Sequence, residues 1–132
     1  MRIYLDHNAT TGLRPEARAA LLAVLEQLGG NPSSLHASGR AARQVLDEAR
    51  ERTAGALGVH EDEVVFTSGG TESNNLALLG GVRAAGAGQG LATSAIEHSS
   101  VLGPARRLER EGRPLWVVGV DAQARVRVEE FG

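Results

Sequence analysis

The chain contains no cysteine and no lysine. Without cysteine it can form no disulfide, no thiolate metal site and no thiol nucleophile. All 14 basic residues are arginine, so no side-chain amine is available to form a Schiff base. An arginine bias beside many alanines and glycines is also what a GC-rich coding sequence produces. Aromatic residues make up only 3% and hydrophobic residues 42%, so a core has to be assembled from Ala, Val and Leu. Such a core is thin, because small side chains remove little apolar area from water. The formal net charge is −2, and no run of like charges occurs, so nucleic-acid binding through a basic face is not suggested. No apolar stretch approaches the roughly 20 residues of a membrane span. The opening Met1-Arg2-Ile3-Tyr4-Leu5-Asp6 lacks the apolar segment of a signal peptide. A soluble, cytoplasmic protein is expected, with no membrane and no nucleic acid among its partners. The 132 residues fall in the size range of one ordinary domain.

What is present has a clear period. Residues 3–5 read as an extended entry into the polar turn Asp6-His7-Asn8-Ala9-Thr10-Thr11. Pro15 stands where a first helical residue belongs. Ala17, Leu21, Val24, Leu25 and Leu28 recur at three- and four-residue spacing until Gly29-Gly30, predicting a helix over 15–28. Asn31-Pro32-Ser33-Ser34 is a loop by its turn chemistry. A second helix is predicted over 38–57, with Ala42, Val45, Leu46, Ala49, Ala56 and Leu57 on its apolar face and Gly58 at its end. Val64-Val65-Phe66 then reads as a strand, followed by a helix bearing Leu76, Leu79 and Val82. The small-residue linker 84–90 leads to a second strand over 91–96. Val101, Leu102, Ala105 and Leu108 mark the next helix, 115–120 a third strand, and Val126 and Val128 a short alternating piece. Strand, helix, strand, helix, strand is the pattern of a parallel sheet with helical crossovers, so the fold class is α/β. Three such strands make an incomplete sheet. No internal repeat or low-complexity segment is present.

The chemistry concentrates at two turns. Ser68-Gly69-Gly70-Thr71 joins a predicted strand to a helix. A helix start offers unpaired N–H groups and the positive end of the macrodipole, so anions bind there. Glycines let the backbone approach closely, and Thr71 adds a hydroxyl. No lysine follows the glycines, so this is not a nucleotide P-loop, and the spacing is not that of a dinucleotide fingerprint. A phosphate monoester suits it better. Taken alone, the same turn also reads as a plain connection with Thr71 as an N-cap. Glu97-His98-Ser99-Ser100 follows the second strand. Both turns lie at carboxyl ends of strands, where ligands of open α/β sheets bind. An imidazole there can stack on a ring or exchange protons near neutral pH, although a lone His98 beside a serine cap also reads as plain solvated surface. His60 sits in an acidic turn and reads as solvated, whereas His7 and His36 lie in loops. No pair of histidines has zinc-site spacing, so no metal is expected.

Four segments together resemble the cysteine desulfurases, class-V aminotransferase-like enzymes of pyridoxal-phosphate fold type I. They are Tyr4-Leu5-Asp6-His7-Asn8-Ala9-Thr10-Thr11, then Gly30-Asn31-Pro32-Ser33-Ser34 with His36, Gly39 and Arg40. Phe66-Thr67-Ser68-Gly69-Gly70-Thr71-Glu72-Ser73-Asn74-Asn75 follows, and Glu97-His98-Ser99-Ser100-Val101 completes the series. All four stand in the family's order and at about its spacing. Gly12 departs from the pattern, where the family usually has proline.

The resemblance implies pyridoxal 5′-phosphate as cofactor and a partial fold-type I large domain, a mainly parallel sheet with flanking helices that this chain leaves incomplete. It divides the chain into an extended segment 1–14, a helical segment 15–60, and the first βαβαβ part of the cofactor-binding domain, 61–132. It implies that Gly70 and Thr71 hold the cofactor phosphate and that His98 lies over the pyridine ring and moves protons. Asn8, Ala9 and Thr10 would line the substrate pocket, and the segment around His36 would lie near a dimer interface. The family reaction converts L-cysteine to L-alanine and leaves sulfur on an enzyme cysteine, for iron–sulfur cluster or thio-cofactor synthesis and for passage to a sulfur-acceptor protein. The lysine, aspartate and cysteine that this requires lie downstream in the family, and the resemblance covers about its first third. The expectation is therefore an amino-terminal part that is not competent alone and works as a homodimer or with a complementary carboxy-terminal chain. A non-catalytic fragment or docking partner is the alternative, as is a related class-V enzyme such as a selenocysteine lyase.

Overall fold

A boundary at residue 65 divides the computed structural model into two units, Met1–Val65 and Phe66–Gly132; residues 3–131 are described. In the first unit, Asp6 accepts the amide of Ala9 at 3.2 Å and the Tyr4 hydroxyl at 2.8 Å, which folds the entry segment into a turn. Helix α1 (Pro15–Gln27) begins at Pro15, where a missing N–H costs nothing. Glu16 in its first turn meets the positive end of the helix dipole. None of the residues of α1 is buried.

Helix α2 (Ala37–Leu57) is capped by His36, whose ring accepts the Gly39 amide at 3.4 Å. Gly58 ends it in the left-handed conformation, φ 70°, which glycine adopts without a Cβ penalty. Asn31 organises the preceding loop, its side chain accepting the Ser33 amide at 2.9 Å. A Cβ on Gly39 would collide with the Ser34 carbonyl, and one on Gly30 with that of Ser38, so glycine is what lets this loop lie on the first turn of α2. Between the helices, Leu21, Val24 and Leu28 face Val45, Leu46 and Ala49 across a groove of about 510 Å³. His60 caps the 3-10 turn Glu61–Glu63, accepting the Asp62 amide while Glu63 accepts the His60 amide at 2.8 Å. Its side chain is exposed, as expected, and also serves as a cap.

The second unit runs α3 (Gly70–Ala84), β1 (Leu91–Ser94), α4 (Ser99–Arg110) and β2 (Leu115–Val118). β1 and β2 pair in parallel, Leu91 with Leu115 through Ser94 with Val118, and α4 is the crossover that such a pair requires. The described chain is thus α/β, with a small parallel sheet. Within the second unit Val82, Ala105, Leu108 and Val118 are buried apolar side chains, and Thr93, Ser94 and Ser100 are buried polar ones. α3 packs on α4, and Arg83 of α3 bonds Glu111 at the end of α4 at 2.9 Å.

One expected strand does not form. Val64 is extended, φ −97° and ψ 119°, yet no strand is formed at 64–66, and the Val64 carbonyl accepts Arg50 Nε–H of α2 at 3.4 Å. Val65 and Phe66 are exposed, and the Val64 amide turns back to Glu61 at 3.1 Å. Apolar β-propensity places residues in the extended region, but a strand exists only where a neighbour supplies the ladder. The other two strands are shorter than expected. β1 stops at Ser94 after a last bond from the Ala95 amide to Val118. β2 stops at Val118, and Val120 instead bridges Val126 in antiparallel sense.

Candidate functional site

Gly69 precedes α3 in an extended conformation, φ 161° and ψ 178°, and no side chain caps the helix. The amides of Gly70, Thr71 and Glu72 therefore have neither an intrahelical acceptor nor a side-chain cap. Nothing lies within 4 Å of a Cβ position on Gly69 or Gly70, so the space over this turn is open, and Thr71 is exposed beside it. Ser68 and Glu72 brace the turn from behind. The Glu72 carboxylate accepts the Ser68 hydroxyl at 2.6 Å and its amide at 2.7 Å, and the hydroxyl first, then the amide, hold its pKa below the usual value. Thr67 and Ser73 share a hydroxyl–hydroxyl bond of 2.6 Å, and whichever of the two accepts in it donates its own hydrogen to the Gly69 carbonyl. The side chains that could have filled the first turn are thus committed to one another. What remains free is a set of N–H donors and one hydroxyl at the positive end of a 15-residue helix. That donor set suits a phosphate monoester.

His98 is the N-cap of α4, its Nδ1 accepting the Ser100 amide at 3.1 Å. The Ser100 hydroxyl lies 2.8 Å from the same nitrogen, and Asn74 of α3 donates Nδ2–H to that hydroxyl at 2.9 Å. Asn74 stands one turn beyond Thr71, so a chain of two bonds links the beginning of α3 to the His98 ring. His98 is exposed while Ser100 is buried. Glu97 is occupied by the Ser94 hydroxyl at 2.9 Å.

Of the residues singled out in the sequence, Gly70, Thr71 and His98 fall in the second unit, and the Asn74–Ser100 bond connects their elements. Asn8, Ala9 and Thr10 fall in the first unit, exposed in the turn that Asp6 closes. Asn74 and Ser100 had no role assigned from sequence. They are 26 residues apart, and no periodicity pairs a helix side chain with the cap of the next helix. The signal available was weak: two polar residues on faces otherwise given to Leu and Ala. Among the described residues, no group of His, Cys, Asp and Glu could hold a metal ion, and no helix is long and apolar enough to cross a membrane.

The family profile described as aminotransferase class-V matches residues 3–132. The chain belongs to the class-V aminotransferase family. This class-V chain is 45% identical over 130 residues to the cysteine desulfurase IscS of Dictyoglomus turgidum, covering 98% of the chain and 33% of that relative. It is 42% identical over 132 residues to a cysteine desulfurase of Cereibacter sphaeroides, covering 98% of the chain and 34% of that relative. Among solved structures, a NifS-like protein superposes with a TM-score of 0.83 at 33% identity, over 98% of this chain and 36% of the other. DndA from Streptomyces lividans gives 0.67 at 38% identity, over 88% and 33%. The class-V chain thus spans about a third of the length of the curated relatives it matches.

Proposed function

We propose that this chain is the amino-terminal part of a pyridoxal-phosphate-dependent cysteine desulfurase. The observation that carries the reading is the uncapped first turn of α3, tied by Asn74 and Ser100 to an exposed His98. Similarity to cysteine desulfurases over 98% of the chain supplies the reaction class. When bound, pyridoxal phosphate acts as an electron sink for bonds broken at the substrate α-carbon. The amides of Gly70 and Thr71, with the Thr71 hydroxyl, hold its phosphate at the helix terminus. His98 lies over the pyridine ring and takes part in proton movement there. Asn8, Ala9 and Thr10 line the L-cysteine pocket.

With no lysine and no cysteine among its 132 residues, the chain supplies neither the amine that binds the cofactor nor the thiol that takes the sulfur. Both come from residues outside this sequence, and the assembled enzyme is cytoplasmic, a homodimer or an association with a complementary carboxy-terminal chain, and passes sulfur to an acceptor protein.

The phosphate site is testable on this chain. Pyridoxine 5′-phosphate, which has no aldehyde to react with the terminal amine, is expected to bind, and inorganic phosphate to compete with it. Thr71→Ala is expected to weaken binding about tenfold, the effect of one hydrogen bond to a charged group. No competition, or a Thr71→Ala chain that binds as well as the parent, would refute the placement of the phosphate. Co-purification of the native protein tests the rest. A second chain carrying Lys and Cys in a yellow complex is expected, and a single colourless chain would instead support the docking-partner reading.

A further inference from the structure

The His98 imidazole has two nitrogens, and in its neutral form only one carries a proton. Its surroundings decide which. The Ser100 backbone amide lies 3.1 Å from Nδ1, and a backbone N–H can only donate. Nδ1 must therefore present its lone pair. The Ser100 hydroxyl, 2.8 Å from the same atom, then has to point its hydrogen at Nδ1 as well. That leaves Ser100 Oγ as the acceptor in its contact with Asn74 at 2.9 Å, which fixes the Asn74 amide with its nitrogen inward. The three bonds agree on one direction, from Asn74 through Ser100 to His98. The proton of the neutral ring accordingly sits on Nε2, which has no partner among the described residues.

Capping alone does not require this arrangement. His36 and His60 also cap through Nδ1, accepting backbone amides at 3.4 and 3.3 Å. Neither has a hydroxyl donor on that nitrogen among the described hydrogen bonds. At His98 a hydroxyl on a residue only 7% exposed is added, with an amide from a different helix behind it. Buried donors are costly to leave unmatched, so the pair constrains the ring more firmly than a single solvent-facing bond would.

We propose that Asn74 and Ser100 are positioning residues that hold the His98 ring by Nδ1 and fix its tautomer, so that Nε2–H faces the cofactor and substrate side as a donor. This rests on the reading of His98 as the ring-facing residue and deepens it. In this state the only lone pair of the ring is occupied by two donors. The part of His98 in proton movement therefore begins from Nε2–H, which offers a hydrogen bond to an acceptor on the ligand. Neither Asn74 nor Ser100 needs to touch the ligand for this.

The tautomer is readable in the full chain without cofactor, by long-range ¹H–¹⁵N correlation of the imidazole nitrogens, with His98 assigned from a His98→Gln chain. A protonated Nε2 and an unprotonated Nδ1 are expected, with a tautomer ratio higher than that of His7, His36 or His60. Ser100→Ala is expected to lower that ratio about fivefold, the equivalent of one neutral hydrogen bond of about 1 kcal/mol. Asn74→Asp places a group that only accepts opposite the hydroxyl, turning it away from Nδ1, and is expected to move the ratio in the same direction. A ratio at His98 no greater than at His7 in the parent chain would overturn the proposal, whether or not any variant folds. So would Ser100→Ala and Asn74→Asp chains with intact amide spectra and the parent ratio. Pyridoxine 5′-phosphate binding reports separately on the function: a fixed tautomer without binding would fail the cofactor reading alone, and binding without a fixed tautomer would fail this inference alone.

Discussion

His36, His60 and His98 share a local conformation, each extended before a helical turn with Nδ1 accepting an amide of that turn. The sequence sets them in different company, a loop, an acidic turn and a strand end, so only backbone geometry makes them alike. Glycine makes the complementary point on α2. Gly39 and Gly55 lie on the same helix, and helix propensity alone favours alanine over glycine at both by about 1 kcal/mol. Space separates them: a Cβ on Gly39 runs into the Ser34 carbonyl, whereas one on Gly55 meets nothing within 4 Å. Gly55→Ala is accordingly expected to stabilise the chain by up to about 1 kcal/mol. Gly39→Ala should destabilise it by about 1–3 kcal/mol, the usual range for forcing extra volume into a close contact. Denaturant unfolding of both variants checks this, and two changes of the same sign would show that propensity outweighs the loop contact.

Among the elements, α3 and α4 are joined by Glu111, which accepts Arg83 from one helix at 2.9 Å and Arg107 from the other at 2.9 Å. The hydrogen bond from Arg83, then that from Arg107, holds the Glu111 carboxyl below the usual carboxylate pKa. A depressed carboxyl favours the folded state wherever it is ionised. Its contribution is present above the unfolded value and is lost as pH falls through the folded one. The stability gap between the parent and Glu111→Gln is therefore expected at neutral pH and should close as pH drops below the ordinary carboxylate range. Chemical unfolding across that range measures it, and a gap that stays constant into acid would assign the effect to packing instead. At this scale the sequence was most legible for helices. Leu21, Val24 and Leu28 marked α1 to within one residue, and Gly58 marked the end of α2, because period and caps are local properties. Strands were less legible, because a strand depends on the ladder it joins and not on local apolar character alone. Leu91 and Leu115 found each other across α4, while Val64–Phe66, of equal apolar character, is extended at Val64 without forming a strand. The site divided along the same line: Gly70, Thr71 and His98 stand out by residue type and position, whereas Asn74 and Ser100 become meaningful only when two helices meet.

For the whole molecule, the expectation of a thin core becomes specific. The buried apolar side chains are Ala54, Val82, Ala105, Leu108 and Val118, while Leu5, Leu25, Val65, Ile96 and Trp116 are each more than half exposed. The groove between α1 and α2 is apolar and open, and the two-stranded sheet leaves both outer edges without a partner among the described residues. Exposed edges and apolar faces are the surfaces through which chains pair. The chain is therefore expected to associate, with itself when alone and with a complementary chain when one is present. In sedimentation, its weight-average mass should rise with concentration, and lowering the apolar area at the sheet through Trp116→Ser should reduce that rise. Trp116 lies on β2 with its side chain exposed, so this substitution removes stickiness without opening a cavity. A monomer at every concentration, unfolding in one cooperative transition, would mean that these few buried residues suffice and that the exposed surface serves no partner.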